Sequence, residues 1–218
     1  MEQETIISAT NICKAFRRRV ILDDLNFIVP RGVIYAICGK NGIGKSVFLR
    51  TLSGFIIPDR GTVTIHGQEI GKDTEFPRST GILIDRPGFM PEKNGYGNLS
   101  LLGQISGCTN PEQIRSAMKS VGLEPDDRRP VRTYSIGMLQ RLGLAQAIME
   151  DPDLLLLDEP TSGLDYETQE AMYGLLRSLQ ERGKTIVFTS HSPYEVKKLS
   201  EKTFWLIDGK LQTLDPGN

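Results

Sequence analysis

The sequence predicts an α/β fold, a largely parallel β-sheet covered by helices, with an all-helical segment inserted into it. Two observations carry that reading. Short apolar, β-branched runs alternate with helical patterns near both ends of the chain, as in sheets whose parallel strands are joined by helical crossovers. Between residues 86 and 150 the strand signal vanishes and helical patterns follow one another.

Taken in order, residues 5–12 and 25–29 read as strands, and Pro30-Arg31-Gly32 as the turn into a strand at 33–38. Arg17-Arg18-Arg19 reads as a solvated hairpin turn. A glycine-rich segment leads into a helix over 45–53, closed by Gly54, and strands follow at 62–66 and 81–84. The inserted segment holds helices at 99–105, 111–121 and 135–150. The loop 86–97, with three glycines and two prolines, reads as its mobile approach. Beyond it come a strand at 154–157, a helix at 166–181, a strand at 185–190, a short helix at 194–199 and a last strand at 203–207. The expectation is one domain (1–218) with an α/β core, 1–85 and 151–218, and a helical subdomain, 86–150.

Composition narrows the function classes. A chain of 218 residues is long enough to bury a proper core. Twenty-six basic and 27 acidic side chains leave a net charge of −1, so no global positive field draws nucleic acid or an anionic membrane. Cys13, Cys38 and Cys108 have no metal-ligand spacing, which predicts reduced, largely buried thiols in a cytosolic protein. The start Met1-Glu2-Gln3-Glu4 lacks the basic and apolar stretches of a secretory leader. No apolar run approaches the ~18–20 residues of a spanning helix, so a membrane role is expected to come through a partner.

The segment Gly39-Lys40-Asn41-Gly42-Ile43-Gly44-Lys45-Ser46 matches G-x-x-x-x-G-K-[ST], between an apolar strand and a helix. Glycines let the backbone curl so that successive N–H groups point at phosphate oxygens, and the helix adds its N-terminal dipole. Lys45 is suited to bridge β- and γ-phosphates and the Ser46 hydroxyl to ligate Mg²⁺. Val47 continues the site into the helix. A second constellation is Asp153-Leu154-Leu155-Leu156-Leu157-Asp158-Glu159. Four leucines without a polar face predict a strand buried on both sides, and acids at its carboxyl end emerge where α/β sheets place ligands. Asp158 suits the Mg²⁺ shell, and Glu159 suits accepting a proton from water attacking the γ-phosphate.

Together with Tyr134-Ser135-Ile136-Gly137-Met138-Leu139-Gln140-Arg141-Leu142, with Ser162-Gly163-Leu164-Asp165 and with Thr189-Ser190-His191, these motifs resemble the ATP-binding cassette (ABC) ATPases, in order and spacing over essentially the whole chain. The resemblance implies a RecA-like P-loop NTPase core with an antiparallel β subdomain and a helical subdomain. It implies a head-to-tail dimer, of two copies or with a related cassette, holding two ATPs. Ser135 and the Gly137 amide would form a second anion site facing the partner's γ-phosphate. His191 would contact the γ-phosphate and the attacking water, although a histidine after a strand is also often structural. Phe16 falls where the family stacks adenine on an aromatic, though a strand-end phenylalanine reads equally well.

Two residues depart from the family pattern. The signature reads Tyr-Ser-Ile-Gly-Met instead of Leu-Ser-Gly-Gly-Gln, and Asp85 stands where a glutamine is usual. Asp85 is expected to approach the metal and add a negative charge beside the triphosphate, with a bond to its own loop and no metal role as the other reading. With Pro87-Gly88-Phe89 it resembles the bacterial antibiotic- and lantibiotic-resistance exporter branch. The resemblance implies an ATP-hydrolysing subunit of a bacterial transporter that drives a separate integral membrane subunit, for export, from the cytoplasmic face of the membrane. Phe89, Met90, Pro91 and Tyr96 are expected to line the docking loop, with packing of the helical subdomain as the other reading. The alternative is a soluble cassette ATPase of DNA repair or translation. Those carry coiled-coil insertions or paired cassettes, which this sequence lacks.

Overall fold

The computed structural model describes residues 4–17, 19–85, 88–107 and 109–213; Met1, Glu2, Gln3, Arg18, Arg86, Pro87, Cys108 and residues 214–218, on which parts of the sequence reading fall, lie outside the described residues. Strand β1 (Thr5–Phe16) pairs antiparallel with β2 (Arg19–Pro30), Phe16 facing Arg19 across the expected turn. Both strands run past the apolar stretches that signalled them. Register shifts take up the extra length, with Asn11 and Asp24 in left-handed conformation and the Asn11 amide donating to the Asp24 carboxylate at 2.7 Å. β4 (Arg60–Ile65) joins β1, and the two-residue β5 (Gln68–Glu69) joins β4, giving an antiparallel sheet ordered β2-β1-β4-β5.

The larger sheet contains β3 (Ile34–Cys38), β6 (Thr80–Leu83), β7 (Leu154–Asp158), β8 (Thr185–Ser190), β9 (Lys202–Ile207) and β10 (Lys210–Gln212). Its order is β10-β9-β3-β8-β7-β6, parallel from β9 to β6, with β10 folding back antiparallel at the edge. Helix α1 (Lys45–Leu52) follows β3, α5 (Tyr166–Glu181) connects β7 to β8, and α6 (Pro193–Leu199) precedes β9. Between β6 and β7 lie α2 (Gly95–Ser106), α3 (Pro111–Ser120), a 3-10 turn at Val131–Thr133 and α4 (Ile136–Ile148), with no strand among the described residues.

The helix starts are written in local chemistry. Asn110 caps α3 reciprocally with Gln113, with Pro111 at its first position. Ser135 accepts from the Met138 amide and Asp165 from the Thr168 amide, capping α4 and α5.

Two hydrophobic clusters sandwich the larger sheet. Leu154 and Leu156 of β7 join the cluster shared with the antiparallel sheet and α1, whereas Leu155 and Leu157 join the one shared with α2–α5. All four leucines are fully buried, each contributing about 1.5–3 kcal/mol of transfer free energy. This is the two-sided burial their unbroken apolar run predicts.

The described part of the loop before α2 is tied to its surroundings by hydrogen bonds. The buried Asn98 side chain accepts from the Met90 amide at 2.7 Å and donates to the carbonyls of Met90 and Asn94 at 3.2 and 3.0 Å. The Val131 and Arg132 amides donate to Lys93 and Pro91.

Gly81 shows how tightly the helical segment sits on the sheet. A Cβ added there would lie 1.9 Å from the Ala147 carbonyl oxygen of α4, backbone against backbone. Gly81→Ala should therefore destabilise the protein by about 3 kcal/mol or more, read as a lower urea midpoint at unchanged slope. A second expectation follows from His66, a half-buried residue 3.2 Å from Arg31. Burial, and then the Arg31 charge, hold its pKa below the ordinary 6.5. Below that pH the unfolded chain takes up a proton that native His66 resists, so stability should fall as pH drops through 6.5 toward the lowered folded value. His66→Asn, which suits the left-handed backbone there, should flatten that part of a melting-temperature profile.

Candidate functional site

The glycine-rich segment spans β3 to α1 at the carboxyl end of the parallel strands. Gly39, Gly42 and Gly44 hold φ of 152°, 74° and 121°, values closed to most side chains, and a Cβ on Gly44 would meet the Ile21 side chain at 2.6 Å. Helix α1 starts at Lys45 with no side-chain cap and no acid in its first turn, so its N–H groups are left to an anion. Lys45 is buried, its ammonium donating to the Gly39 carbonyl at 2.8 Å and the Lys40 carbonyl at 3.4 Å. The Ile43 amide closes the loop onto Lys40. A cleft of about 1050 Å³ opens over this loop, lined by Asn41, Gly42, Gly44, Lys45, Ser46 and Val47 on one side.

Asp85, Asp158 and Glu159 line the same cleft, as do Arg50 and Gln140. Asp158 ends β7 and accepts a hydrogen bond from the Thr189 hydroxyl at the end of β8. Glu159 is in left-handed conformation, φ 46°, its amide donating to the Thr189 oxygen at 3.0 Å. The Gln140 amide of α4 donates to the Glu159 and Pro160 carbonyls at 3.1 and 3.2 Å. These bonds hold a strained backbone from both neighbouring elements. The Glu159 carboxylate lies 3.7 Å from the Lys45 ammonium and 3.2 Å from His191 Nδ1, while the His191 ring is about half exposed.

Not every expected residue shares that cleft. Ser135 and Gly137, at the start of α4, line a separate concavity of about 290 Å³ with Arg141, Leu164, Asp165 and Thr168; Ile136 and Gly163 border both. Phe16, 46% exposed with the Lys14 ammonium 5.5 Å from its ring, is not among the residues lining the cleft, and Ile21 is. Asp85, expected to approach the metal, lines the cleft with Ser46 and Asp158, and the Arg50 guanidinium, one helical turn beyond Ser46, is bonded to its carboxylate. Phe89 and Tyr96 pack against the core, leaving Met90 and Pro91 exposed.

Gln140, Thr189, Arg50 and Ile21 did not stand out as site residues in the sequence. Gln140 and Thr189 lie inside quoted motifs, a usable signal; Arg50 and Ile21 carried none. Cys38, one residue before the loop, is buried, which pushes its thiol up to about 11 and keeps it protonated.

A family model described as ABC transporter matches residues 22–162. The chain belongs to the ABC transporter family. It is 36% identical over 208 residues, 95% of either chain, to the uncharacterized ABC transporter ATP-binding protein YybJ of Bacillus subtilis (strain 168). It is 33% identical to the bacitracin transport ATP-binding protein BcrA of Enterococcus faecalis, over 97% of this chain and 69% of that one. With the lantibiotic transport ATP-binding protein SrtF of Streptococcus pyogenes the figures are 32%, 94% and 89%. Among solved structures, the post-hydrolysis dimer of the ATP-binding cassette MJ0796 bound to ADP and Pi superposes with a TM-score of 0.86 at 23% identity, covering 96% of this chain and 99% of that one. That likeness establishes the fold, a RecA-like core with the antiparallel sheet beside it.

As a cassette of this family the protein is an ATP hydrolase that uses ATP and Mg²⁺. The donor set fits the metal. No cage of three or more His, Cys, Asp or Glu exists among the described residues, and Mg²⁺ favours instead one or two carboxylates, a hydroxyl, waters and substrate phosphates. Ser46 and Asp158 supply that partial set across one cleft.

The Arg50–Asp85 pair sets an expectation of its own. Arg50→Gln leaves the Asp85 charge uncompensated beside the phosphate loop, so it should weaken binding of ATP in excess chelator several-fold more than binding of Mg²⁺-ATP. Arg50→Gln with Asp85→Asn, which restores the wild-type charge sum, should recover most of the loss. Fluorescence titrations with and without Mg²⁺ measure both.

Proposed function

We propose that the protein is the motor subunit of a bacterial exporter, hydrolysing ATP between two cassettes to drive a separate membrane subunit. Residues 39–47 cradle the triphosphate, with Lys45 on the β- and γ-phosphates. Ser46 and Asp158 hold Mg²⁺, which when bound neutralises charge on the phosphates. Glu159 takes the proton of the attacking water, and His191 orients that water and the γ-phosphate. The observation that carries this reading is the Glu159 carboxylate placed between Lys45 and His191 over the phosphate loop.

The dimeric arrangement is supported by the concavity at Ser135 and Gly137, which opens apart from the phosphate-loop cleft on the same chain. A helix N-terminus there suits the γ-phosphate of a second copy. Ile136, 63% exposed between the two concavities, is suited to burial by that copy. The solved cassette MJ0796 is a dimer, and named relatives are a bacitracin transport ATP-binding protein and a lantibiotic transport ATP-binding protein. No helix among the described residues is long and apolar enough to cross a membrane, so a position at the cytoplasmic face depends on a membrane subunit. Of the four loop residues offered to it, Met90 and Pro91 are exposed and Phe89 and Tyr96 pack against the core. The helical segment 86–150 acts as the subdomain that carries this contact. A soluble role in repair or translation is supported by no observation.

Glu159→Gln retains shape and hydrogen bonding and removes the base. ATP should bind it and stay intact, and light scattering should show a dimer with ATP and a monomer without. A variant that hydrolyses at the wild-type rate, or stays monomeric with ATP, overturns the reading.

A further inference from the structure

Glu195 is the most deeply buried acid described, 3% exposed, and it lies outside every motif quoted above. It sits in the short helix α6, yet its carboxylate reaches two other elements. One oxygen accepts from the Thr161 hydroxyl at 2.6 Å, two residues after Glu159. The other accepts from the Ser190 hydroxyl at 2.5 Å, one residue before His191. These are lengths of charge-assisted O–H···O⁻ bonds, roughly twice as strong as neutral ones. Ser190 in turn accepts from the Ser192 amide at 2.9 Å, and Ser192 caps α6 through the Glu195 amide. Burial pushes the Glu195 carboxyl above the usual range, while the two hydroxyls and His191 pull it down. A costly buried acid is thus kept where two loops meet.

We propose that Glu195 is a positioning residue for ATP hydrolysis, tying the loop that follows Glu159 to the loop that carries His191. The two functional side chains come from different strands, β7 and β8, and the 3.2 Å between them depends on both loops leaving the sheet at fixed angles. Thr189 and Gln140 fix the Glu159 backbone; Glu195 fixes the next turn of each loop to a common anchor. It does not line the phosphate-loop cleft, so its effect is expected on the chemical step and not on ATP binding. The inference rests on the roles given to Glu159 and His191.

The test is steady-state ATPase kinetics of the full chain, with melting temperatures to confirm folding. Glu195→Ala cuts both ties and should lower kcat by roughly tenfold or more while KM for ATP moves less than about twofold. Glu195→Gln keeps the size, accepts from one hydroxyl and donates to the other, so it should restore kcat to within about threefold of wild type. Thr161→Val, which removes one tie and leaves Ser190 in place, should fall between them, and decides the matter if the alanine variant does not fold. Alanine or valine variants with wild-type kcat, or a KM that rises in step with the loss of kcat, overturn the inference. Glu159→Gln in the same assay separates the two readings. If it is inactive while Glu195→Ala is fully active, only the role of Glu195 fails; if it hydrolyses normally, the site assignment beneath it fails.

Discussion

Everything about the site depends on the burial of β7 from both sides. Leu154 and Leu156 are held in one core and Leu155 and Leu157 in the other, with parallel partners on either edge. A strand fixed that way cannot slide, because a one-residue slip would exchange the faces of all four leucines. Asp158 is the last residue held by the sheet and Glu159 the first released from it, so their position is inherited from the cores. The same carboxyl edge releases the phosphate loop after β3 and His191 after β8, which are the next two strands inward. Adjacency in the sheet brings together residues 45, 159 and 191 of the chain.

Past the sheet edge, hydrogen bonds replace apolar packing as the source of precision. Glu159 has a backbone that a glutamate rarely adopts, and strain of that sort persists only where neighbours hold it. Its amide and carbonyl are taken by side chains from β8 and α4, two elements with no other shared purpose. Because Gln140 belongs to the helix whose first turn carries Ser135, the acid and the second concavity share one support. An ion pair performs the corresponding service for Asp85, fixing the end of β6 to α1.

The chain displayed its architecture openly because most elements announce themselves locally. Apolar runs marked β7 and β8, and helical patterns marked α3 and α5. The edges of the two sheets were harder: β5 and β10 are short, partly exposed and polar, and β1 and β2 extend through bulges whose exposed residues break the alternation. The phosphate loop and the acids after β7 were legible since each is a contiguous motif with a chemical reason for its spacing. Contacts across distance were not. Asp85 and Arg50 lie 35 residues apart, Gln140 and Glu159 lie 19 apart, and Glu195 and Thr161 lie 34 apart. No local pattern encodes such a meeting. The ties of the loop before α2 were hidden for a related reason, since they converge on one buried side-chain amide, Asn98, inside the helix that follows.

The bare contact between Gly81 and the Ala147 carbonyl has a mechanical meaning. Where two elements touch through side chains, rotamers give way and absorb small motions. Here backbone rests on backbone, so the junction is a fixed pin with no rotamer to give way. Helix α4 extends from that pin as an arm of about 18 Å, at 1.5 Å per residue. A tilt of about 10° about the pin would carry its far end, with Ser135, through roughly 3 Å by simple leverage over that length. Ser135 is therefore the part of the helix that any such tilt would displace most, magnified by the length of the arm.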